Sequence, residues 1–395
     1  MSATSETLSL LNPRFKVIAA GICALILTVG VARFAYTPFL PLMLTQTELS
    51  TFAGGWLATL NYAGYLCGVV LISLMQRLDF KFYFYRINLL VALVSTLMMG
   101  LTTDILLWSL SRFIAGVSST AGIILAAGFV MTWLKRHGFK AQLGIHFAGL
   151  GLGIAIPGML IVLMNAHFNW AQQWQLMALF ALLFFIPAWL WMPAPNKIQT
   201  TDTAQQPQPG KQWLWLMIAA YSCAGVGYVV SATFVVAILE TMPLLQGKGD
   251  WAWVLLGLAA IPSCIAWDKI ASRFGETRAL IASYIVMLIG ITVPALSSGL
   301  ILNLIGAVLY GATFAGVVSQ MLVYIGHQFP LNPAKAMAKL TIGYGVAQIV
   351  APLIAGYIST LTGSYIGSLW FAGVAMLLGI ACLWKIHRLS VQGLK

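Results

Sequence analysis

The chain has 395 residues, of which 60% are hydrophobic and only 8% are charged, and its mean hydropathy is +0.91. Soluble domains carry about 25% charged residues, so this composition excludes a water-exposed globular surface and predicts an integral membrane protein. The formal net charge of +12 fits basic loops on the cytoplasmic side of a membrane better than a nucleic-acid partner, and we expect no such partner.

Apolar segments long enough to cross a bilayer, about 20 residues each, follow one another along the chain. Reading between polar breaks predicts twelve membrane helices: 16–43, 50–75, 83–102, 104–133, 141–164, 173–193, 212–240, 251–271, 278–297, 299–327, 335–361 and 365–386. The one long polar stretch, 194–211, predicts a flexible cytoplasmic linker. The expected fold is therefore an all-α membrane protein with two six-helix bundles, 1–193 and 212–395.

Lysine and arginine are distributed unevenly between the two sides of the predicted membrane. Nearly all of them fall in segments on the side that holds both termini. The exceptions are Lys248, in an opposite loop, and Arg33 and Arg112, inside helices. Because basic loops remain in the cytoplasm, we expect a multi-pass protein of the bacterial inner membrane with both termini cytoplasmic.

Arg33 and Arg112 require an explanation because a guanidinium facing lipid costs at least ~2.5–3.5 kcal/mol. Arg33 lies in the first predicted helix, within GVARFAYTPFLP at 30–41, and Arg112 lies in the fourth. At about 1.5 Å per residue, both fall in the outer half of the membrane. One interpretation is that each binds an anionic group. The other is that each bonds helix carbonyls and locks the bundle. We favour the first for Arg33 and the second for Arg112.

Several segments carry a resemblance to a known family: RFAYTPFLPLM at 33–43, NYAGYLCG at 61–68, SRFIAGV at 111–117 and GLAAIPSC followed by Trp267. On these, the chain resembles the major facilitator superfamily over essentially its full length, and within it the bacterial YbfB/YjiJ-type members. The resemblance implies a rocker-switch transporter, usually a monomer, whose first, fourth, seventh and tenth helices line a central cavity between the two halves.

The resemblance and the polar residues inside helices together give the candidate site. The expected substrate-binding residues are Arg33, Tyr36, Asn61, Tyr65, Arg112, Tyr228, Tyr310 and Gln348. For each polar residue the alternative is a hydrogen bond between helices. The coupling candidates are His146, which could titrate near neutral pH, and Glu240. Gating or structural roles are expected for Gly116, Gly153, Pro157, Arg273, Gly275 and Pro352, since glycines allow close helix packing and prolines leave joints.

We therefore predict a secondary active transporter of a small organic solute, anionic because of Arg33, in a lipid bilayer and coupled to a proton or a counter-anion. One alternative is a drug or metabolite efflux antiporter of the same fold, which a partial glycine pattern in the fifth helix and fourteen tryptophans would suit. A multispan enzyme is disfavoured because the acids and histidines form no cluster. The five cysteines lie in apolar segments without a CxxC pair, so we expect no metal and no cofactor.

Overall fold

The computed structural model describes residues 13–140, 143–195, 209–240, 249–297 and 299–391. Within them, twelve helices are long and apolar enough to cross a membrane. In chain order they are α1 (Pro13–Gln46), α2 (Thr51–Leu74), α3 (Leu78–Met99), α4 (Ile105–Arg136), α5 (Gly144–Met164), α6 (Trp170–Leu190), α7 (Lys211–Glu240), α8 (Gly249–Phe274), α9 (Glu276–Leu296), α10 (Leu300–Gln328), α11 (Pro333–Thr362) and α12 (Ile366–Val391). The predicted all-α membrane fold is confirmed.

Helix α3 differs most from its prediction, because it begins at Leu78 and not near residue 83. The charged stretch after α2 looks like a loop in the sequence, yet it forms the first turns of the helix. Asp79 lies in that first turn, where a negative charge suits the positive end of the helix dipole. Lys81 is buried, and its ammonium donates a hydrogen bond to Asn332, the N-cap of α11.

Local capping explains where three of the helices begin. The Ser50 hydroxyl accepts a hydrogen bond from the amide of Ala53 at the start of α2. The carboxylate of Asp104 accepts two amide hydrogen bonds in the first turn of α4. Asn169 and Gln172 form a reciprocal capping box at α6. Such caps satisfy amides that have no partner inside the helix, so these polar residues fix the helix starts.

We call α1–α6 the first half and α7–α12 the second half. Two spans of the first half contain wide, π-helical turns: Ile26–Phe34 in α1 and Ala121–Ala126 in α4. Such turns are rare and are often found at functional sites. Arg33 lies in the first of them. There α1 also approaches α5 so closely that a side chain on Gly30 would collide with the backbone of Gly153. The backbone around Arg33 is therefore irregular and tightly held by its neighbours.

The two halves meet along two helix pairs. In the first pair, α5 presents Gly144, Gly151 and Gly158, at seven-residue spacing, to α8. A heptad repeat keeps these glycines on one face of the helix, so the backbones of α5 and α8 come into close contact along most of α5. In the second pair, Gly345 of α11 packs on Leu66 of α2.

The halves also touch at the end of the bundle where α1 begins, which we call the basic end. There Gly128 of α4 packs on Ala334 of α11, and Gly326 of α10 packs on Met131 of α4. The bond between Lys81 and Asn332 lies at the same end. These contacts close the basic end of the protein.

The close α5–α8 packing predicts an unusual response to a glycine-to-alanine change. Alanine normally favours a helix by about 0.5–1 kcal/mol over glycine. At Gly151, however, the added methyl would lie 2.8 Å from the Ala260 carbonyl carbon. We expect Gly151→Ala to lower the unfolding temperature of the detergent-purified protein. Gly55→Ala on α2, where nothing lies within 4 Å, should leave it unchanged or raise it. An equal change in the unfolding temperature of the two variants would contradict the close packing.

Candidate functional site

Arg33 lies between the two halves and is only 4% exposed. Its Nη2 donates a hydrogen bond of 3.0 Å to Oε1 of Gln348 in α11. Its Nη1 lies 3.5 Å from the hydroxyl of Ser119 in α4, a long contact. Its Nε is buried and has no hydrogen-bond partner among the described residues. The contact with Gln348 therefore joins the first half to the second through one buried cation.

Three aromatic rings surround the same guanidinium. The central carbon of Arg33 lies 4.4 Å from the ring centroid of Tyr65, 5.0 Å from that of Tyr62 and 5.5 Å from that of Phe34. Cations within about 6 Å of a ring face are attracted by the ring quadrupole. These rings stabilise the charge partly, but they do not neutralise it.

Neither buried arginine has an acidic partner in the part of the chain that the structure describes. The ion pairs found there are Arg77–Asp79 and His327–Glu276, both at helix ends. Arg33 and Arg112 instead contact carbonyl, amide and hydroxyl oxygens and ring faces. The centre of the protein consequently carries positive charge that these side chains leave uncompensated.

Arg112 makes its hydrogen bonds within the first half. Its Nη1 donates to the carbonyl of Ala32 at 2.9 Å and its Nη2 to the carbonyl of Arg33 at 3.3 Å. The guanidinium also lies 4.3 Å from the ring centroid of Tyr36. Asn61 of α2 in turn donates to the carbonyl of Arg112 at 2.9 Å. This geometry favours the locking role for Arg112 and a supporting role for Asn61, because both hold the wide turn of α1 in place.

Two of the predicted substrate-binding tyrosines use their hydroxyls between helices. The hydroxyl of Tyr36 donates to the carbonyl of Gly54 at 2.8 Å, and that of Tyr310 donates to the carbonyl of Tyr228 at 2.8 Å. Here the structure shows the interhelical bond that the sequence left as the alternative. A ligand would meet the rings of Tyr36 and Tyr310 but not their hydroxyls.

A continuous stack of rings faces Arg33 from the second half. Centroid distances are 4.4 Å for Tyr221–Tyr344, 6.1 Å for Tyr344–Tyr228, 5.6 Å for Tyr228–Phe314 and 5.4 Å for Phe314–Tyr310. We call these five residues of α7, α10 and α11 the aromatic stack. The sequence indicates Tyr221 only as one of several polar residues in the seventh helix, and sequence reasoning missed Tyr344 and Phe314, although Tyr344 lies one helical turn before Gln348 and Phe314 one turn after Tyr310.

Some hydroxyl groups at this centre make no hydrogen bond to any described residue. They belong to Tyr62 and Tyr65 in α2, Tyr228 in α7 and Tyr344 in α11. The ring of Tyr65 lies 4.4 Å from the central carbon of Arg33, and Tyr344, which stacks on Tyr228, lies one helical turn before Gln348, the residue that Arg33 bonds. The structure thus brings together the predicted residues Arg33, Tyr65, Tyr228 and Gln348.

Neither coupling candidate is found beside Arg33: His146 lies elsewhere in the first half, and the side chain of Glu240 is not described. His146 is 1% exposed, and neither ring nitrogen has a hydrogen-bond partner among the described residues. Its ring packs on Phe147 and fills the space where a side chain on Gly21 would lie, inside the first half. The side chain of Glu240, at the last residue of α7, lies outside the described part of the structure.

The predicted gating glycines and Arg273 have identifiable contacts. Gly116 of α4 packs so closely on the backbone of Asn61 that a side chain at position 116 would collide with it. Gly153 packs on α1. Gly275 has φ +93° between α8 and α9, a conformation that favours glycine. Arg273 lies in the last turn of α8, with its guanidinium over the ring of Phe274. The remaining two residues, Pro157 and Pro352, lie inside α5 and α11.

A cavity of about 310 Å³ opens at the basic end between α8, α9 and α10. Its charged lining residues are Lys140, Asp268, Glu276 and His327. Nδ1 of His327 lies 2.6 Å from the Glu276 carboxylate, and the Asp268 carboxylate accepts a hydrogen bond of 3.2 Å from the Gly144 amide. Asp268 thus joins α8 to the start of α5 across the two halves. Nothing in the sequence groups these residues, because they come from four separate segments.

A family model described as "Uncharacterised MFS-type transporter YbfB" matches residues 25–383. The chain belongs to this family. The protein is therefore a multi-pass membrane transporter of the major facilitator superfamily, and the enzyme alternative is set aside.

Two similar proteins agree with this assignment. The chain is 23% identical over 270 residues, 66% of this chain and 68% of the relative, to the "Uncharacterized MFS-type transporter YceJ" of Bacillus subtilis (strain 168). It also superimposes on a crystal structure of a mutant of the nucleoside transporter NupG with a TM-score of 0.65. That match has 10% identity and covers 95% of this chain and 100% of the other. This second likeness shows the fold alone.

The different surroundings of the two arginines predict different effects on stability. Arg112→Gln removes bonds to two helix carbonyls; because bonds from charged groups contribute about 1.5–3 kcal/mol each, we expect a clearly lower unfolding temperature. Arg33→Gln removes one close hydrogen bond, to Gln348, and one long contact, to Ser119, so we expect its unfolding temperature to fall less than that of Arg112→Gln. A fluorescence-detected melting curve of each purified variant measures this. A larger loss for Arg33→Gln than for Arg112→Gln would contradict the assignment.

Proposed function

We propose that this transporter carries a small organic anion across the bacterial inner membrane by secondary transport, with Arg33 as the anion-binding group. The observation that carries the proposal is the buried guanidinium of Arg33, which bridges the two halves and has only neutral partners among the described residues. A buried charge without a counter-charge is costly, and an anion from outside the chain would remove that cost.

The geometry of Arg33 suits a carboxylate. A guanidinium can donate two parallel hydrogen bonds to one carboxylate group. In this structure one terminal nitrogen contacts the amide oxygen of Gln348, the other makes only the long contact with Ser119, and Nε is unpaired among the described residues. A carboxylate that replaces the amide oxygen of Gln348 could accept hydrogen bonds from two of these donors at once, whereas the amide oxygen accepts from one.

This replacement also suggests how transport could proceed. Arg33 and Gln348 belong to different halves, so an anion that takes the place of Gln348 loosens a contact between them. The glycine-lined pair α5–α8 would stay packed while the halves rock about it. Opening of the basic end would require separation of the Lys81–Asn332 bond and of the Gly128–Ala334 contact. This is alternating access between two rigid bundles.

The coupling that fits this centre is exchange against a second anion. Exchange needs no titratable side chain, and no described acidic residue contacts either buried arginine. His146 lies inside the first half and is less suited to carry the coupled proton. The excess of lysine and arginine at the basic end supports a cytoplasmic location for that end and for both termini.

The alternative of drug efflux is disfavoured by the same charge. Cationic dyes and drugs would be repelled by Arg33 and Arg112. The helix α5 glycines that suggested an antiporter are occupied in packing against α1 and α8, which accounts for them without an export role.

Counterflow in proteoliposomes tests the proposal. Vesicles containing the full chain would be loaded with unlabelled carboxylates, a neutral sugar, uridine or a cationic dye, and uptake of the corresponding labelled solute followed. We expect carboxylate exchange, reduced about ten- to a hundredfold in Arg33→Gln, because charge-assisted hydrogen bonds contribute about 1.5–3 kcal/mol.

Two controls make this result decisive. Empty vesicles measure the passive leak of weak acids, and Arg388→Gln removes an arginine at the end of α12 and should leave exchange unchanged. If Arg33→Gln exchanged carboxylates as fast as the unaltered protein, or if only the sugar or the dye exchanged, the anion-carrier proposal would be wrong.

A further inference from the structure

We infer that the transported anion is an aromatic carboxylate, bound with its carboxylate on Arg33 and its ring among the tyrosines of the central site. This inference rests on the proposed function and names its substrate class. It comes from the juxtaposition of one buried cation, two rings of α2 and the aromatic stack of the second half.

The first support is the position of the rings around the guanidinium. Tyr65 and Tyr62 lie 4.4 and 5.0 Å from the central carbon of Arg33. A carboxylate that replaces the amide oxygen of Gln348 on the guanidinium would place the atoms attached to it beside these rings. Aromatic rings prefer offset-stacked or edge-to-face contact with other rings, so an aromatic group gains more there than an aliphatic one.

The second support is the aromatic stack on the opposite side. Tyr344 and Gln348 are one turn apart on α11, so their side chains lie on the same face of the helix. Gln348 contacts Arg33 directly, and Tyr344 continues into the stack through Tyr228 and Tyr221. A ligand that displaces the Gln348 amide would therefore have a tyrosine from each half beside it.

The third support is the set of polar groups that remain available. The hydroxyls of Tyr62, Tyr65, Tyr228 and Tyr344 make no hydrogen bond to a described residue, and could accept or donate one to a ring substituent. No described acidic side chain contacts Arg33, so a positively charged amino group would find no partner. The site thus suits a hydroxylated aromatic monocarboxylate better than an amino acid.

Buried tyrosines often serve packing alone, so their placement must be distinguished from ordinary core packing. Elsewhere the structure packs aromatic pairs within one helix, such as Phe180–Phe184, and between helices of one half, such as Phe82–Phe129. The central rings differ because they come from α2, α7, α10 and α11, on both sides of the contact between the halves, and surround an unneutralised cation. That position is where an alternating-access carrier binds its substrate.

Equilibrium binding tests the inference. Labelled 4-hydroxybenzoate would be bound to the full chain in detergent and displaced by benzoate or by cyclohexanecarboxylate, which shares the carboxylate and the six-membered ring but has no π faces. We expect benzoate to compete about two- to tenfold better, the advantage typical of aromatic pairs. Tyr65→Leu and Tyr344→Leu should remove this preference, while Tyr65→Phe, which keeps the ring, should retain it.

The control is Tyr357→Leu on α11, whose ring is 66% exposed at the outer surface, and it should leave the preference unchanged. Melting curves confirm that each variant is folded. Equal competition by the two acids in the unaltered protein would overturn the aromatic assignment, as would absence of 4-hydroxybenzoate binding while aliphatic carboxylates still show Arg33-dependent counterflow. In both cases the anion-carrier proposal would stand. Loss of Arg33 dependence in the counterflow assay would instead remove the proposed function itself.

Discussion

The structure depends on the buried cation of Arg33, which, like that of Arg112, has no acidic partner in the described part of the chain. Arg33 lies between the halves, bonded to Gln348 and surrounded by rings. In hydrocarbon such a charge would cost several kcal/mol, and a hydrophobic residue would pack there without that cost. The protein nevertheless keeps a guanidinium where the two bundles meet. The simplest physical reason is that an anion from outside the chain completes the site.

The surrounding helices hold this cation in a defined position. Arg112 and Asn61 tie α2 and α4 to the carbonyls of α1 beside Arg33, and Gly153 lets α5 support the same turn. The first half is therefore stiff around Arg33. Its contact with the second half at this depth is, by contrast, one hydrogen bond from Arg33 to the neutral amide of Gln348 together with ring contacts, and a carboxylate would be a stronger acceptor than that amide.

Most of the fold could be predicted from the sequence because membrane helices depend on local composition. Twelve apolar segments suffice to predict twelve spans, and the buried positions of Arg33 and Arg112 follow from the cost of exposing them to lipid. The start of helix α3 could not be predicted in this way, because Lys81, which looks like a loop residue, bonds to Asn332 far along the chain. Local composition holds no information about such a partner.

The site was only partly predictable for the same reason. Arg33, Tyr65, Tyr228 and Gln348 could each be chosen as polar or aromatic residues at membrane depth, but the sequence does not show that Arg33 and Gln348 are bonded to each other. Nor does it show that the hydroxyls of Tyr36 and Tyr310 are used by neighbouring helices. The aromatic stack is hidden in the sequence because its members come from three helices, and single aromatic residues are common in any membrane core.

The central claim is that Gln348 takes the place of the substrate carboxylate beside Arg33. It is tested most directly by measuring the affinity of Gln348→Glu, with Gln348→Ala as its control, for the carboxylate that exchanges in proteoliposomes. The glutamate would supply an internal counter-charge, so the account predicts that Gln348→Glu loses binding at least about tenfold while Gln348→Ala retains it. Unchanged affinity of Gln348→Glu would contradict the account.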